Sequence, residues 1–296
     1  MSGDLHGRML KVRGTSLYVD ERGAADAPAL LYLHGGPGSG TYDFLSFQGD
    51  ALSERLRLVA VDQRGVQHSD PLEGPVTEED LVADFEAVRE ELGIERWAIL
   101  GHSFGGRPAL RYAVTHPETV DKVAFENPAW DIQLNSRTLL LAGLPLLKEL
   151  GVDQGIAEML DDHGPATVQM WNERTGVMHR LGDRRMEIYF GPDSRDLVLP
   201  ADELPDEIQS RAGRFAQAIT EAPTFVESLL PLLARVTQPA MLIKGEHDPA
   251  TSPEEIARFQ SDVATGTYRL FEGAGHFVHG EQREDYTKLV TEFVLG

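Results

Sequence analysis

The sequence of 296 residues contains no cysteine and has few basic residues relative to its acidic ones. Without cysteine, the chain can form no disulfide, no thiolate metal site and no catalytic thiol. Its 27 lysines and arginines stand against 48 aspartates and glutamates, which gives a formal net charge of −21. Such a negative surface repels phosphate backbones and anionic lipids, so we expect neither nucleic-acid binding nor membrane association.

Long hydrophobic runs are also lacking. The longest apolar run, 139–147, is interrupted by Gly143 and Pro145 and is much shorter than the roughly 20 residues of a membrane-spanning helix. The first residues have neither the basic nor the apolar region of a signal peptide, so we expect a cytoplasmic protein. Hydrophobic residues make up 41% of the chain and can form a large core. Nothing in the sequence indicates an oligomeric state.

Short apolar runs alternate with amphipathic stretches at both ends of the chain. The apolar runs predict strands at 9–12, 17–19, 29–33, 56–61, 97–100, 122–125, 240–243 and 267–271. Apolar residues at helical spacing predict helices at 78–92, 107–116, 253–260 and 283–294. The first two strands read as an antiparallel hairpin, and the later alternation predicts an α/β fold, a mostly parallel sheet with helices on both faces.

The middle of the chain has a different character. Its periodicities are helical, no strong strand run occurs, and seven prolines divide it into short helices and loops. We therefore predict two parts: a core domain formed by 1–130 and 236–296, and an inserted helical cap formed by 131–235.

The motif Gly101-His102-Ser103-Phe104-Gly105-Gly106 lies directly between a predicted strand and a predicted helix. In that context G-x-S-x-G is typical of a nucleophile elbow, a tight turn that exposes a serine hydroxyl at the carboxyl edge of the sheet. The turn requires small residues two positions before and after the serine. We predict that Ser103 is a catalytic nucleophile; its structural alternative is a helix cap.

A serine nucleophile needs a base, and the base needs an orienting acid. In this arrangement the chain order is serine, then acid, then histidine. Asp248 follows the strand at 240–243 and His276 follows the strand at 267–271, so both project from the same sheet edge as Ser103. We predict Asp248 as the acid and His276 as the base. The alternatives are Glu246 or Asp131 for the acid and His279 for the base.

The glycine-rich segment His34-Gly35-Gly36-Pro37-Gly38 follows the strand at 29–33. Its backbone can approach a substrate closely, and we predict the amides of Gly36 and Phe104 as oxyanion donors. The segment lacks the Lys-Ser/Thr pair of a phosphate-binding loop, and Thr41 replaces the third glycine of a dinucleotide fingerprint. Acid–histidine runs at 161–163 and 246–248 lack the spacing of metal sites. We therefore predict no cofactor and no metal.

Together, these motifs resemble the α/β-hydrolase superfamily and, more narrowly, its proline iminopeptidase family of serine peptidases. The resemblance rests on the H-G-G-P-G loop, the sequence Asp62-Gln63-Arg64-Gly65, the elbow, Asp248 and His276. It covers about 1–130 and 236–296. It implies that the H-G-G-P-G loop forms the oxyanion hole and that carboxylates of a helical cap bind the free amine of the substrate.

Several positions depart from the pattern of that family. Val66 to Ser69 stand where the family has a further glycine, the elbow reads Gly-His-Ser rather than Gly-Gly-Ser, and Pro249 replaces an acid that binds the amine in some relatives. No cap motif can be assigned residue by residue. The candidate substrate-binding residues are therefore His34, Gly35, Trp130, Glu173, Glu187 and Glu221, with Asp161 and Asp162 as further cap acids.

Three functions remain open from the sequence. The leading hypothesis is an iminopeptidase-like serine hydrolase that forms an acyl-enzyme with short peptides or arylamides. The alternative is a hydrolase of small esters, lactones or thioesters with the same catalytic residues. A non-catalytic binding protein of this fold is disfavoured, because no part of the triad or of the oxyanion loop is missing.

Overall fold

An eight-stranded sheet forms the centre of the computed structural model, which describes residues 6–153, 155–161 and 167–296. The strands are β1 (Arg8–Val12), β2 (Thr15–Arg22), β3 (Ala29–Leu33), β4 (Arg57–Val61), β5 (Trp97–His102), β6 (Val120–Glu126), β7 (Ala240–Gly245) and β8 (Gly266–Phe271). Their order is β1-β2-β4-β3-β5-β6-β7-β8. β2 pairs antiparallel with β1 and β4, and the remaining neighbours are parallel. The predicted mostly parallel sheet is confirmed.

The register of the parallel strands brings their carboxyl ends to one edge. Leu33 of β3 pairs with Gly101 of β5, and Gly101 pairs with Phe125 of β6. At the other side of the sheet, Gly245 of β7 pairs with Phe271 of β8. The loops that follow β3, β5, β7 and β8 therefore meet above the same edge, which is where open α/β sheets bind their ligands.

Helices cover both faces of the sheet. They are α1 (Tyr42–Phe44), α2 (Asp50–Ser53), α3 (Glu78–Glu91), α4 (Gly106–Thr115), α5 (Ile132–Leu150), α6 (Ile156–Asp161), α7 (Thr167–Leu181), α8 (Met186–Tyr189), α9 (Asp206–Thr220), α10 (Pro253–Asp262), α11 (Val278–Glu281) and α12 (Arg283–Leu295). α3, α4 and α10 pack on one face, and α1, α2 and α12 on the other. Central strands such as β5 are buried along their whole length, as expected for a sheet covered on both sides.

Local sequence accounts for most of these helices. α3 begins with a capping box in which the Thr77 hydroxyl accepts from the amide of Asp80, and the Asp80 carboxylate accepts from the amide of Thr77. The predicted helices at 107–116, 253–260 and 283–294 are found with ends shifted by one or two residues. The turns of helix between Tyr42 and Ser53 were not predicted, because each is too short to show a helical period.

Between β6 and β7, the described residues form helices and short 3₁₀ turns but no strand. α5 and α7 share their own small apolar cluster, which includes Leu140, Leu147 and Val177. α9 instead packs Phe215 and Ile219 into the main core. Of the helices that the structure describes, none combines the length and apolar composition that crossing a membrane would require.

Candidate active site

Ser103 stands at a sharp turn between β5 and α4. Its backbone has a φ of 53°, a conformation that is strained for a residue with a side chain and that is common at active sites. The flanking glycines make the turn possible. A Cβ on Gly105 would lie 2.2 Å from the carbonyl oxygen of Leu33, and one on Gly101 would lie 2.6 Å from the carbonyl oxygen of Gly105. The requirement for small residues at these positions thus has a direct steric cause.

His276 and Asp248 form a buried pair beside this turn. His276 Nδ1 lies 2.7 Å from Asp248 Oδ1, and the His276 backbone amide donates to the carbonyl oxygen of Tyr189 at 2.6 Å. If Nδ1 carries the proton in this bond, Nε2 is left as an acceptor. Ser103 and His276 line the same cavity. No hydrogen bond joins their side chains within the described structure; hydrogen bonds of this kind often tighten only when a substrate binds.

Asp248 is held as a carboxylate. Its oxygens accept from the amides of Ala250 and Thr251 at 2.9 and 3.0 Å, and Lys244 Nζ lies 3.1 Å from Oδ2. Burial by itself raises the pKa of Asp248, but the charges of Lys244 and His276 outweigh it and hold that pKa well below its ordinary value. Asp248 is therefore ionised at neutral pH.

Sequence reasoning missed Lys244. The residue lies near the carboxyl end of β7, is almost completely buried, and also donates to the carbonyl oxygens of Gly245 and Asp248. A signal was present, because Lys244 is the one charged residue in an apolar strand, four positions before Asp248. A buried lysine normally requires an anionic partner.

Of the two predicted oxyanion donors, Phe104 follows Ser103 in the chain and Gly36 lines the same cavity as Ser103. Phe104 is the second residue of the 3₁₀ turn Ser103–Gly105, so its amide is among the first N–H groups of that turn, which have no partner inside it. Gly36 lines the cavity and has a φ of 115°, which favours glycine. The loop also packs tightly, since a Cβ on Gly35 would lie 2.8 Å from Ser103 Cβ.

The cavity above Ser103 has a volume of about 210 Å³. Its walls come from the oxyanion loop, the elbow, the His276 loop and the segment between β6 and β7. Two arginines, Arg174 and Arg185, belong to the last of these walls. A larger hollow of about 600 Å³ lies at the opposite end of the sheet, but its arginines Arg57 and Arg96 are already paired with Glu21 and Asp121.

The predicted substrate-binding residues do not line this cavity. Glu187 pairs with Arg184 at 2.7 Å, and Glu221 is exposed and accepts from Gln217. Glu173 is half-buried on α7 but away from the cavity wall. These assignments are corrected, because the spacing of acids along the cap did not show which helix faces turn inward. The Asp161 side chain, Asp162 and His163 lie outside the described residues.

The other three candidates, His34, Gly35 and Trp130, do not line the cavity either. Trp130 is completely buried and stacks on Phe259, with ring centroids 5.8 Å apart, so it cannot touch a substrate. His34 is completely buried as well, and its Nε2 accepts from the amide of Gln63 at 3.2 Å. This contact ties the oxyanion loop to the loop after β4. Gly35 lies behind Ser103 rather than in the cavity wall.

A second buried cluster, formed by His102, Glu126, His279 and Tyr286, contacts the backbone of His276. Glu126 accepts from His279 Nδ1 at 2.9 Å and from the Tyr286 hydroxyl at 2.7 Å, and His102 Nε2 lies 3.0 Å from the carbonyl oxygen of His276. Nothing in the sequence pattern indicated this network, which joins four separate elements. His279, the alternative base, is thus held at Glu126 rather than at Asp248.

This cluster is also the group of described side chains that could hold a metal. The ligand atoms of His102, Glu126 and His279 lie within 4.8 Å of one another. Burial raises the pKa of Glu126, but His279 and His102 outweigh it and lower that pKa to about 2. Burial lowers the pKa of His102 to about 3. Because hydrogen bonds already engage these groups, we interpret the cluster as a support for the His276 loop.

Comparison with known proteins agrees with this geometry. A family described as alpha/beta hydrolase fold matches residues 28–149. Among solved structures, a proline iminopeptidase-related protein from Thermus thermophilus superimposes with a TM-score of 0.76 at 23% identity, covering 98% of this chain and 96% of that one. An enol-lactonase from Burkholderia xenovorans gives 0.68 at 23% identity, covering 98% and 100%. These comparisons show that the chain has the α/β-hydrolase fold.

The sequence relatives are more specific. A proline iminopeptidase from Neisseria gonorrhoeae is 42% identical over 106 residues, but that alignment spans only 35% of this chain and 34% of the enzyme. One from Lactobacillus helveticus is 26% identical over 298 residues, spanning 93% of this chain and 92% of the enzyme. Within the α/β-hydrolases, this chain resembles the proline iminopeptidases.

Proposed function

We propose that the protein is a serine hydrolase that cleaves small esters, lactones or thioesters through an acyl-enzyme on Ser103. The observation that carries this proposal is one cavity lined by Ser103, His276 and Gly36, with His276 hydrogen-bonded to the buried Asp248 behind it. In this mechanism, His276 Nε2 takes the proton from Ser103 Oγ as that oxygen attacks the carbonyl carbon. The amides of Gly36 and Phe104 stabilise the oxyanion.

The second half of the reaction uses the same groups. The tetrahedral intermediate collapses, the bond to the leaving oxygen or sulfur breaks, and His276 gives its proton to that atom. Water then attacks the acyl-enzyme, with His276 as the base, and releases the acid and free Ser103. Asp248 stays ionised and orients the imidazole throughout.

The cavity supports a small acyl substrate. Its volume of about 210 Å³ lies below the range of about 300–1,000 Å³ that is usual for drug-sized ligands. In this proposal the segment 131–235 is a cap on a core formed by 1–130 and 236–296, and it supplies the side chains that select the substrate. Asn135, Leu139 and Tyr189 of that segment line the cavity.

An iminopeptidase is the second candidate, and its support is the resemblance to proline iminopeptidases. An enzyme that removes N-terminal residues must recognise a free amine, and a carboxylate is the group suited to bind it. In the described part of the chain, no carboxylate side chain lines the cavity. The ester, lactone and thioester class is therefore favoured.

The catalytic assignment can be tested by labelling. A fluorophosphonate should react with the wild-type protein at Ser103, and Ser103→Ala should remove both the label and nearly all hydrolysis, a loss of about 10⁴-fold or more in kcat. His276→Ala should lose activity to a similar degree. His247→Ala is the matched control, because this exposed histidine next to Asp248 contacts no catalytic group. Labelling at another residue would refute the assignment.

The two substrate classes can be separated with one panel. The rates of hydrolysis of short-chain p-nitrophenyl esters and a butyrolactone are compared with those of prolyl and alanyl arylamides. Both arylamides are used with a free amine and with an acetylated amine. The proposal expects rapid cleavage of the esters and no advantage from the free amine. If free-amine arylamides react about tenfold faster than acetylated ones, about 1.4 kcal/mol in the transition state, the protein is the iminopeptidase instead.

A further inference from the structure

The cap wall of the cavity carries positive charge although the protein as a whole is strongly acidic. Arg174 lies on α7, Arg185 ends the 3₁₀ turn that follows it, and both line the cavity that contains Ser103. The chain has a net charge of −21 and only 27 basic residues. Two arginines at the cavity of such a protein form a local field that is opposite in sign to that of the rest of the surface.

Neither arginine has an anionic partner among the described residues. Arg174 contacts the Tyr189 hydroxyl at 3.4 Å and lies over the Trp171 ring at 4.4 Å, while its buried Nε has no hydrogen-bond partner. Arg185 donates to the carbonyl oxygen of Gly182 at 3.0 Å. A guanidinium stays charged, and burying one of its donors without a partner is costly.

Arg184, the neighbour of Arg185 in the chain, differs from the two cavity arginines because it has anionic partners. Arg184 precedes Arg185 in the chain but does not line the cavity, and it pairs with Glu149 at 3.1 Å and with Glu187 at 2.7 Å. The cap therefore has acids available for an arginine on its outer surface. The two arginines at the cavity retain free donors, which a bound anion would satisfy.

These donors lie close to the catalytic residues. Tyr189 connects the two sets: its hydroxyl meets Arg174, its ring centroid is 5.3 Å from that of His276, and its carbonyl oxygen holds the His276 amide. Ser103, Arg174 and Arg185 line one cavity of about 210 Å³, so a single short molecule can present an anion to the arginines and a carbonyl carbon to Ser103.

We propose that Arg174 and Arg185 bind a carboxylate of the substrate, so that the enzyme acts on short acyl esters, lactones or thioesters that carry a second, ionised carboxyl group. A guanidinium presents its N–H groups as a planar fork that matches a carboxylate. The same charges repel the free amine that an aminopeptidase must bind. This inference rests on the proposed function, because it requires acyl chemistry at Ser103.

A pair of chromogenic esters tests the inference. The p-nitrophenyl half-ester of adipic acid carries a terminal carboxylate, and its matched neutral ester has an isopropyl group in place of that carboxylate. The wild-type protein should hydrolyse the half-ester with a kcat/KM at least tenfold higher than that of the neutral ester. Arg174→Gln and Arg185→Gln should each reduce this ratio about tenfold, mainly through KM. Arg184→Gln, the matched control, should leave both rates unchanged.

The outcomes separate the two proposals. If Ser103 reacts with the fluorophosphonate and the neutral ester is hydrolysed, but the half-ester has no advantage, the carboxylate site is refuted and the proposed function stands. If Ser103 is not labelled and neither ester is hydrolysed, the proposed function itself fails. Binding of adipate to Ser103→Ala, measured by calorimetry, gives a readout without turnover; equal affinity in the protein that also carries Arg174→Gln would overturn the inference.

Discussion

Replacing Lys244 with methionine isolates the buried charge next to Asp248, the proposed catalytic acid. Lys244 Nζ lies 3.1 Å from Asp248 Oδ2 and donates to the carbonyl oxygens of Gly245 and Asp248 at 2.6 and 2.7 Å. The side chains of Lys244 and Asp248 are 7% and 0% exposed. Methionine fills a similar volume without charge, so Lys244→Met leaves the carboxylate buried with His276 as its remaining ionisable neighbour.

The expected loss of stability follows from this geometry. Two unit charges 3.1 Å apart attract by about 5 kcal/mol at an effective dielectric constant of about 20. Removing one partner of a buried ion pair typically costs about 3–5 kcal/mol, because the other charge stays buried without compensation. We expect Lys244→Met to lower the free energy of unfolding at pH 7 by that amount.

Lys122→Met is the matched control. Lys122 Nζ also donates to two carbonyl oxygens, those of Phe293 and Val294 at 2.8 and 3.0 Å, but it forms no ion pair within the described structure. Its loss should cost about 1.5–3 kcal/mol, the range for hydrogen bonds that involve a charged group. The excess loss in Lys244→Met measures the interaction with Asp248.

Activity provides an independent measurement. Lys244 helps to hold Asp248, and Asp248 in turn holds His276 Nδ1 at 2.7 Å. Lys244→Met should therefore lower the kcat of ester hydrolysis at pH 7 by about tenfold, the rate equivalent of about 1.4 kcal/mol, whereas Lys122→Met should leave it unchanged. Urea unfolding and ester hydrolysis at pH 7 check both effects. Equal stability losses in the two lysine variants, with equal kcat, would refute the reasoning.

Two further predictions concern the buried carboxyl group of Glu255 and the close packing at Gly105. Burial raises the pKa of Glu255 to about 8, so the folded protein keeps a proton that the unfolded chain releases. The free energy of unfolding should therefore fall by about 3 kcal/mol between pH 5 and 8. Glu255→Gln should reduce this dependence of stability on pH. Urea titrations at both pH values test this, and an unchanged slope would contradict it. In Gly105→Ala the new Cβ would lie 2.2 Å from the Leu33 carbonyl oxygen. This variant should lower the free energy of unfolding by about 1–3 kcal/mol or more and should lose most of the activity. At the exposed Gly213 of α9, a Cβ would meet nothing within 4 Å, so Gly213→Ala should raise the free energy of unfolding by about 0.5–1 kcal/mol. A Gly105→Ala variant with unchanged stability would refute the steric account.

The sequence by itself determined the features that depend on neighbours along the chain. Apolar runs and helical periods predicted the sheet and its main helices, because burial on both faces requires continuous apolar strands. The glycines around Ser103 and the chain order of Asp248 and His276 predicted one catalytic edge, since parallel strands end their loops on the same side. The structure brings the side chains of Asp248 and His276 within 2.7 Å of each other.

Only the tertiary structure decided which distant side chains meet. Glu126 of β6 meets His279 of α11 because these separate elements pack there, and no local pattern encodes such a contact. The segment between β6 and β7, the proposed cap, shows most clearly what the sequence does not predict. Its acids were the sequence candidates for the cavity, yet Arg174 and Arg185 line it while Glu187 faces outward to Arg184. Charge along a helix does not reveal which face turns inward; the packing of that helix against its neighbours does.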